Sequence, residues 1–241
     1  MNNEPHSPLS SPEPVGSFLQ ERVNAAIISS EGVKVGPRTA ESYLSDPKHL
    51  LFNLSRYKFV SKMFAGLDRV LEIGCGDGFG TALVAREVKK LTATDIDARF
   101  IEDTQKTHPY ADTIDFVTHD MTHGPIGSVY DGAFSLDVLE HIDKKDEFKF
   151  MTNIVKCLKS DSVCIIGAPS LESQIYASEL SKLGHVNCKT APDLKTFMEN
   201  FLPQGFYFLD ERRGAAHRIL SDGSLFVRIR RVASTIKMNL S

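Results

Sequence analysis

The chain has 241 residues, 41% of them hydrophobic and 24% charged, with a formal net charge of −3. That length and apolar share suit one three-layer domain with a sizeable core, while the near-neutral balance and scattered Lys and Arg exclude an electrostatic footprint for nucleic acid. No apolar run reaches the roughly 18 residues needed to span a bilayer, no secretory leader pattern opens the chain, and Cys75, Cys157, Cys164 and Cys188 show neither CxxC pairing nor metal spacing, so a soluble cytoplasmic protein with reduced thiols is expected.

In chain order, residues 1–17 hold four of the 11 prolines among Ser and Asn, a composition that predicts a disordered leader. Residues 18–67 read as an N-terminal helical cap: a helix over Phe18–Ile28, a loop through Gly32, Gly36 and Pro37, and a second helix over Pro47–Phe64. Asp46-Pro47 is a strong helix start, with Asp as cap and Pro at the first helical position. Residues 68–241 then alternate short apolar strands with helical segments, the pattern of an α/β, three-layer, doubly wound Rossmann-like domain.

The stretch from Val70 to Gly80, VLEIGCGDGFG, is a buried strand ending in a glycine turn, with helical periodicity over Thr81–Val88 behind it. Glycines at alternate positions remove the Cβ atoms, so backbone can adopt positive φ and approach a ligand closely. A dinucleotide fingerprint needs G-x-G-x-x-G or a terminal Ala, and frames opened at Gly74, Gly76 and Gly78 place Phe79, Thr81 and Leu83 at the last position. All three fail. The pattern Glu72-x-Gly74-x-Gly76-x-Gly78 instead resembles motif I of the class I S-adenosylmethionine-dependent methyltransferases. That resemblance implies S-adenosyl-L-methionine as cofactor, a seven-stranded sheet, and cofactor contacts from Glu72, Gly74, Cys75, Gly76 and Gly78.

A second strand, Leu91–Thr94, ends in Asp95, an acid able to accept both hydrogen bonds of a ribose diol at the carboxyl end of a parallel strand. The resemblance makes Asp95 the ribose acid, with Ile96 beside it, while Asp97 suits a helix N-cap. A third strand, Asp115–His119, leads to Asp120 and Met121; in similar enzymes this acid accepts from the adenine amino group and its neighbour packs on the ring, although Asp here also suits an Asx-turn. The run Tyr130–Ile142, YDGAFSLDVLEHI, resembles motif IV of the small-molecule branch of the family, with Ser135 and Leu136 at the cofactor and Asp137 at the strand end facing the cleft. Glu140 and His141 read either as a first helical turn, where Glu favours the dipole, or, for His141, as an active-site group. A helix over Phe148–Leu158 precedes a fifth strand, Val163–Gly167, and two more strands are expected near Phe206–Leu209 and Leu225–Ile229.

Arg56, on the long N-terminal helix, is a candidate for the cofactor carboxylate because guanidinium matches carboxylate two-pronged, and Tyr57 and Tyr43 are further cleft or packing residues. The segment Tyr176–Asn187 holds a Gly-His-Val-Asn run that resembles a feature of bacterial members acting on sugars, quinone-like rings and other small metabolites. Methyl transfer to oxygen needs a proton acceptor, for which His185 is the first candidate, His141 the second and Asp137 the third. No metal site is read, with a Mg²⁺ on Asp137 and an outer carboxylate left open. The chain lacks the Asn/Asp-Pro-Pro-Tyr turn of adenine or glutamine N-methyltransferases and the Pro-Cys of cytosine-C5 enzymes. Arg212, Arg213, His217, Arg228, Arg230 and Arg231 form a basic finish that leaves room for a phosphorylated or carboxylated acceptor. The resulting expectation is a methyltransferase acting on a small molecule, at an oxygen of a saccharide, quinone-like or other secondary metabolite. An aminopropyltransferase-like enzyme and a non-catalytic cofactor-binding module are the alternatives. Neither nucleic acid nor membrane is expected as partner, and oligomeric state is left open, with a homodimer among the options.

Overall fold

The computed structural model describes residues 15–29, 32, 34–127, 129–202, 205–209 and 224–230, the last two spans as backbone. The leader expected over 1–17 falls outside the described residues as far as residue 14, and 15–17 open helix α1 (Val15–Ile28). The chain divides into two compact units between Lys34 and Val35. This boundary cuts the helical segment expected over 18–67, because α1 lies in the first unit while α2 (Pro37–Ser45) and α3 (Pro47–Phe64) lie in the second.

Helix α3 begins where Asp46-Pro47 marks it, and the Asp46 side chain accepts from Lys48 N at 3.1 Å. Helix α2 replaces a loop expected from Gly36-Pro37. Its cap comes from a distant part of the chain: Asp77 accepts from Thr39 N at 2.7 Å and from Thr39 Oγ1 at 2.8 Å, supplying the side-chain acceptor that a helix start needs. A sequence window around Gly36 contains no such acceptor, which is why periodicity alone missed the helix.

Strands β1 (Arg69–Ile73), β2 (Lys90–Asp95), β3 (Ile114–Thr118), β4 (Tyr130–Leu136) and β5 (Leu158–Pro169) are parallel, in the order β3-β2-β1-β4-β5. At the β5 edge, β6 (Gly205–Leu209) and β7 (Ser224–Arg230) add antiparallel strands, β7 against β5 and β6 outermost. Of the basic finish, Arg228 and Arg230 lie on the β7 backbone, and Arg212, Arg213, His217 and Arg231 are outside the described residues. The strand order reverses direction between β1 and β4, and in open parallel sheets this switch point opens a crevice at the carboxyl ends. Ile73, the last residue of β1, stands opposite Thr94 on β2 and Ser135 on β4, so the loops after all three strands meet there.

Side chains alternate across the sheet, and both faces are buried, as parallel sheets require. Leu71, Ile73 and Ala133 pack with Met151 and Ile154 of α6 (Glu147–Lys156) and Leu194 and Met198 of α8 (Ala191–Glu199). On the other face, Val70 and Phe134 pack with Val60 and Phe64 of α3, the Phe64 and Phe134 rings meeting edge to face at 5.9 Å. The helix behind the glycine turn, α4 (Thr81–Ala85), is shorter than its periodicity over Thr81–Val88 suggests. Glu87 O accepts from Gly66 N at 2.8 Å and Lys89 N donates to Leu67 O at 3.0 Å, contacts that turn the chain into β2. Among the described residues no helix is long and apolar enough to cross a membrane.

Candidate active site

The glycine turn is stapled to β2 at its base: Gly74 N and Cys75 N both donate to Thr94 O, at 2.7 and 2.9 Å. Gly74 has φ +82° and Gly76 φ +56°, a region that costs an L side chain roughly 1–2 kcal/mol. Their surroundings differ. A Cβ on Gly74 would lie 2.2 Å from Val138 Cγ2, so the loop after β4 packs directly on the turn, whereas on Gly76 the nearest atom would be Arg38 Cδ at 3.4 Å. Gly76 therefore presents bare backbone to the crevice beneath Arg38. Cys75 is buried, and burial pushes its thiol well above the usual range, consistent with a packed, unreactive side chain.

Asp95 ends β2 with both oxygens engaged, Oδ2 accepting from Gly76 N at 2.8 Å and Oδ1 from Asp97 N at 2.9 Å. Each carboxylate oxygen still has acceptor capacity. Ile96 next to it is 68% exposed. Asp97 caps α5 (Ala98–Thr107), accepting from Arg99 N at 2.9 Å, and the Arg99 side chain lowers its pKa to about 2. Asp97 thus takes the N-cap position expected of it.

At the position expected to contact adenine, Asp120 has local partners. Burial raises the Asp120 pKa, but hydrogen bonds from Thr122 and His123 outweigh it and the net shift is downward; Oδ1 accepts from Thr122 N at 2.8 Å in an Asx-turn, and Oδ2 meets His123 Nδ1 at 2.5 Å. Met121 is buried in the core, its carbonyl held by Asn153 Nδ2 at 2.8 Å. Ser135 and Leu136 are likewise buried in β4, Ser135 Oγ donating to Ile73 O at 3.1 Å.

Glu72 and Arg56 are both buried and both engaged by side chains of this chain. Tyr57 Oη donates to Glu72 Oε1 at 2.7 Å. Burial raises the Glu72 pKa to about 7 against the opposing hydrogen bond of Tyr57. Arg56 is 3% exposed and its Nη1 lies 2.5 Å from Asp137 Oδ1, so it reaches a carboxylate of this chain where a cofactor carboxylate was expected. The pair ties α3 to the end of β4. Asp137 sits at φ +55°, a conformation no other non-glycine shares among the described residues, and its N donates to Gly167 O at 2.9 Å.

Beyond Asp137, a 3₁₀ turn over Leu139–His141 meets the segment after β5. Val186 N and Asn187 N donate to Glu140 O at 2.9 and 3.0 Å, and His141 Nδ1 pairs with Gly184 O at 2.8 Å. These bonds bring the His141 and His185 rings to 5.0 Å, although 43 residues intervene. His185 Nδ1 faces Gln174 Oε1 at 2.7 Å. Burial lowers the His185 pKa, His141 and His49 reinforce that, and Asp137 opposes it. Glu140 is 1% exposed, and neither of its oxygens has a hydrogen-bond partner among the described residues. Burial, then the neighbouring Asp137, pushes its pKa well up, with Arg56 and Arg38 pulling against them. One ligand atom from each of Glu140, His141 and His185 lies within 4.8 Å of the other two.

Three participants escaped the sequence reading: Arg38, Gln174 and the inward carboxylate of Glu140. Arg38 was hidden because α2 was read as loop. Gln174 lies in an ordinary polar turn, Leu171–Tyr176, with no local signal. Glu140 fits a first helical turn equally well, and only tertiary contacts distinguish the two.

Residues 71–166 match a family model described as a methyltransferase domain. No curated protein sequence matches the chain. Among solved structures it is similar to the N-methyltransferase NodS from Bradyrhizobium japonicum WM9 in complex with S-adenosyl-L-homocysteine, at 18% identity and TM-score 0.61 over 76% of this chain and 87% of that one. It is also similar to the methyltransferase domain of bacterial CtHen1, at 16% identity and TM-score 0.59 over 74% and 98% of the two chains. DhpI in its S-adenosyl-L-homocysteine complex matches at 14% identity and TM-score 0.56 over 89% and 94%. These likenesses carry the fold. The family match gives residues 71–166 the sequence pattern of a methyltransferase domain, set on that fold. The bare backbone at Gly76 and the buried acid at Asp95 have the form that a nucleoside group of the kind held in the NodS and DhpI structures needs: a cradle a Cβ would fill, beside acceptors for a diol.

Proposed function

We propose that this domain transfers a methyl group to a hydroxyl oxygen of a small molecule, a saccharide, quinone-like ring or other secondary metabolite, with α2, α3 and the seven-stranded sheet forming the catalytic body. The observation that carries this reading is the closeness of Val138 to Gly74 across the β1/β4 switch point, which supports a cofactor side at the glycine turn next to an acceptor side at Asp137, Glu140, His141 and His185. S-adenosyl-L-methionine, when bound, supplies an electrophilic methyl group on a sulfonium. Asp95 would accept from the ribose hydroxyls, Ile96 would offer an apolar face to the base, and the Gly74–Gly76 backbone would line the methionine end. Arg38, over Gly76, takes the carboxylate role first assigned to Arg56, because Arg56 is committed to Asp137.

The acceptor side rests on the two imidazoles. Gly184 O can only accept, so Nδ1 of His141 carries its proton. Pairing with Gln174 Oε1 gives His185 the same tautomer. In the metal-free protein the remaining lone pair of His185 takes the hydroxyl proton, with His141 next in line and Asp137 third, while exclusion of water and alignment supply most of the rate. Exposed Ile175, Tyr176, Leu183 and Val186 on the same segment favour an acceptor with an apolar part.

Two measurements test the reading. Calorimetric titration with S-adenosyl-L-methionine should show Asp95→Ala weakened about tenfold or more, since charge-assisted hydrogen bonds contribute about 1.5–3 kcal/mol each, and Asp97→Ala within twofold of the parent. The reverse order would overturn the ribose assignment. Incubation with labelled methyl donor and a panel of hydroxylated and aminated small molecules should then put label on oxygen; label on nitrogen alone would replace the acceptor class.

A further inference from the structure

We propose that Glu140, His141 and His185 form a binding site for one divalent transition-metal ion, at which the acceptor oxygen is held. Three observations converge. First, one ligand atom from each residue already lies within 4.8 Å of the others. Ligands around a common ion at about 2.1 Å stand roughly 3–3.5 Å apart, so modest side-chain rotation closes the set. Second, Glu140 is 1% exposed and neither of its oxygens has a hydrogen-bond partner among the described residues. A carboxylate buried without partners is unfavourable unless a proton or a cation neutralises it, and here it points toward two imidazoles, with His141 Nε2 at 3.8 Å from Oε1.

Third, the surroundings of both histidines have the form that metal-bound imidazoles require. A ligating imidazole gives its other N–H to a carbonyl or carboxylate oxygen, which fixes tautomer and ring plane. Gly184 O does this for His141 at 2.8 Å and Gln174 Oε1 for His185 at 2.7 Å. The backbone bonds from Val186 and Asn187 to Glu140 O hold the two segments in register before any ion arrives. Cysteine sulfur is absent from the set, and a two-imidazole, one-carboxylate donor set suits ions such as Zn²⁺, Mn²⁺, Fe²⁺ or Co²⁺. Three protein ligands leave positions open for water or an acceptor hydroxyl.

This deepens the proposed methyl transfer, and one step changes. A hydroxyl bound to the cation loses its proton to solvent more readily; as the oxygen–carbon bond forms, the carbon–sulfur bond breaks and its electron pair returns to sulfur. With a cation present the two imidazoles are ligands, and His185 no longer receives the proton.

The test uses the untagged full chain, stripped with chelator and titrated with Co²⁺, followed by its visible absorption and by calorimetry. S-adenosyl-L-methionine affinity is measured on every sample. One equivalent of Co²⁺ is expected at micromolar Kd, weakened at least tenfold in His141→Ala, in His185→Ala and in Glu140→Gln, with cofactor affinity within twofold throughout. Gln174→Leu, which leaves all three ligands in place, should weaken Co²⁺ by a smaller factor. Absence of Co²⁺ binding by the parent chain at 1 mM, a level of roughly the weakest specific binding, overturns the site, as does binding that survives in the His141→Ala/His185→Ala double variant. Loss of cofactor binding by the parent would instead overturn the methyltransferase reading and leave the metal result standing.

Discussion

Glu72 shows how a single residue couples the motif to the fold. Its position before the first glycine suggests a cofactor contact, yet its carboxyl is buried beneath Tyr57, and burial raises its pKa from 4.5 to about 7. A folded-state pKa above the unfolded one means that the native protein holds a proton that the unfolded chain releases. This contribution to stability is full below about pH 4.5 and is lost as pH rises toward 7, by about 3 kcal/mol on the order-of-magnitude conversion of one pKa unit to about 1.4 kcal/mol. Urea unfolding at pH 5 and pH 7.5 should therefore show the parent losing stability relative to Glu72→Gln as pH rises. Parallel pH profiles for the two proteins would show that Glu72 does not titrate in this window. The paired glycines Gly74 and Gly76 belong to the same scale: their positive φ was legible from the spacing, and the contact of Val138 on Gly74 was not, because it joins two loops separated by more than sixty positions.

At the scale of elements, helices α2 and α3 differ in what specifies them. Helix α3 carries its own start in Asp46-Pro47, a local signal that any reader of the sequence can find. Helix α2 borrows its cap from Asp77 inside the glycine turn, so it forms only against the folded domain, and in doing so it lays Arg38 over Gly76. Asp77→Ala should cost about 1 kcal/mol, the typical value of a lost cap, measured as a fall in Tm. It should also weaken S-adenosyl-L-methionine about tenfold by freeing Arg38. Thr39→Ala, which keeps the backbone amide bonded to Asp77, should do less of both. Unchanged cofactor affinity in Asp77→Ala would separate α2 from the cleft.

At the scale of the whole molecule, the division between Lys34 and Val35 makes a simple prediction. A chain beginning at Val35 retains α2, α3 and the sheet, so it should unfold in one cooperative transition and bind S-adenosyl-L-methionine within twofold of the full chain; calorimetry and thermal unfolding check both. A large loss of affinity would assign part of the site to the first unit. Local patterns sufficed for much of this architecture. The alternating apolar strands, the glycine turn, the acid ending β2 and the Asp-Pro start of α3 are each written within a dozen residues, and short-range sterics and hydrogen bonding impose their conformations wherever they occur. What only the tertiary structure decided is which polar groups meet: Arg56 with Asp137, Asp77 with Thr39, and Glu140 and His141 with His185. No periodicity relates those positions. They are brought together by the parallel register of β1, β4 and β5 and by hydrogen bonds between the segments after β4 and β5, so their chemistry exists only once the sheet has formed.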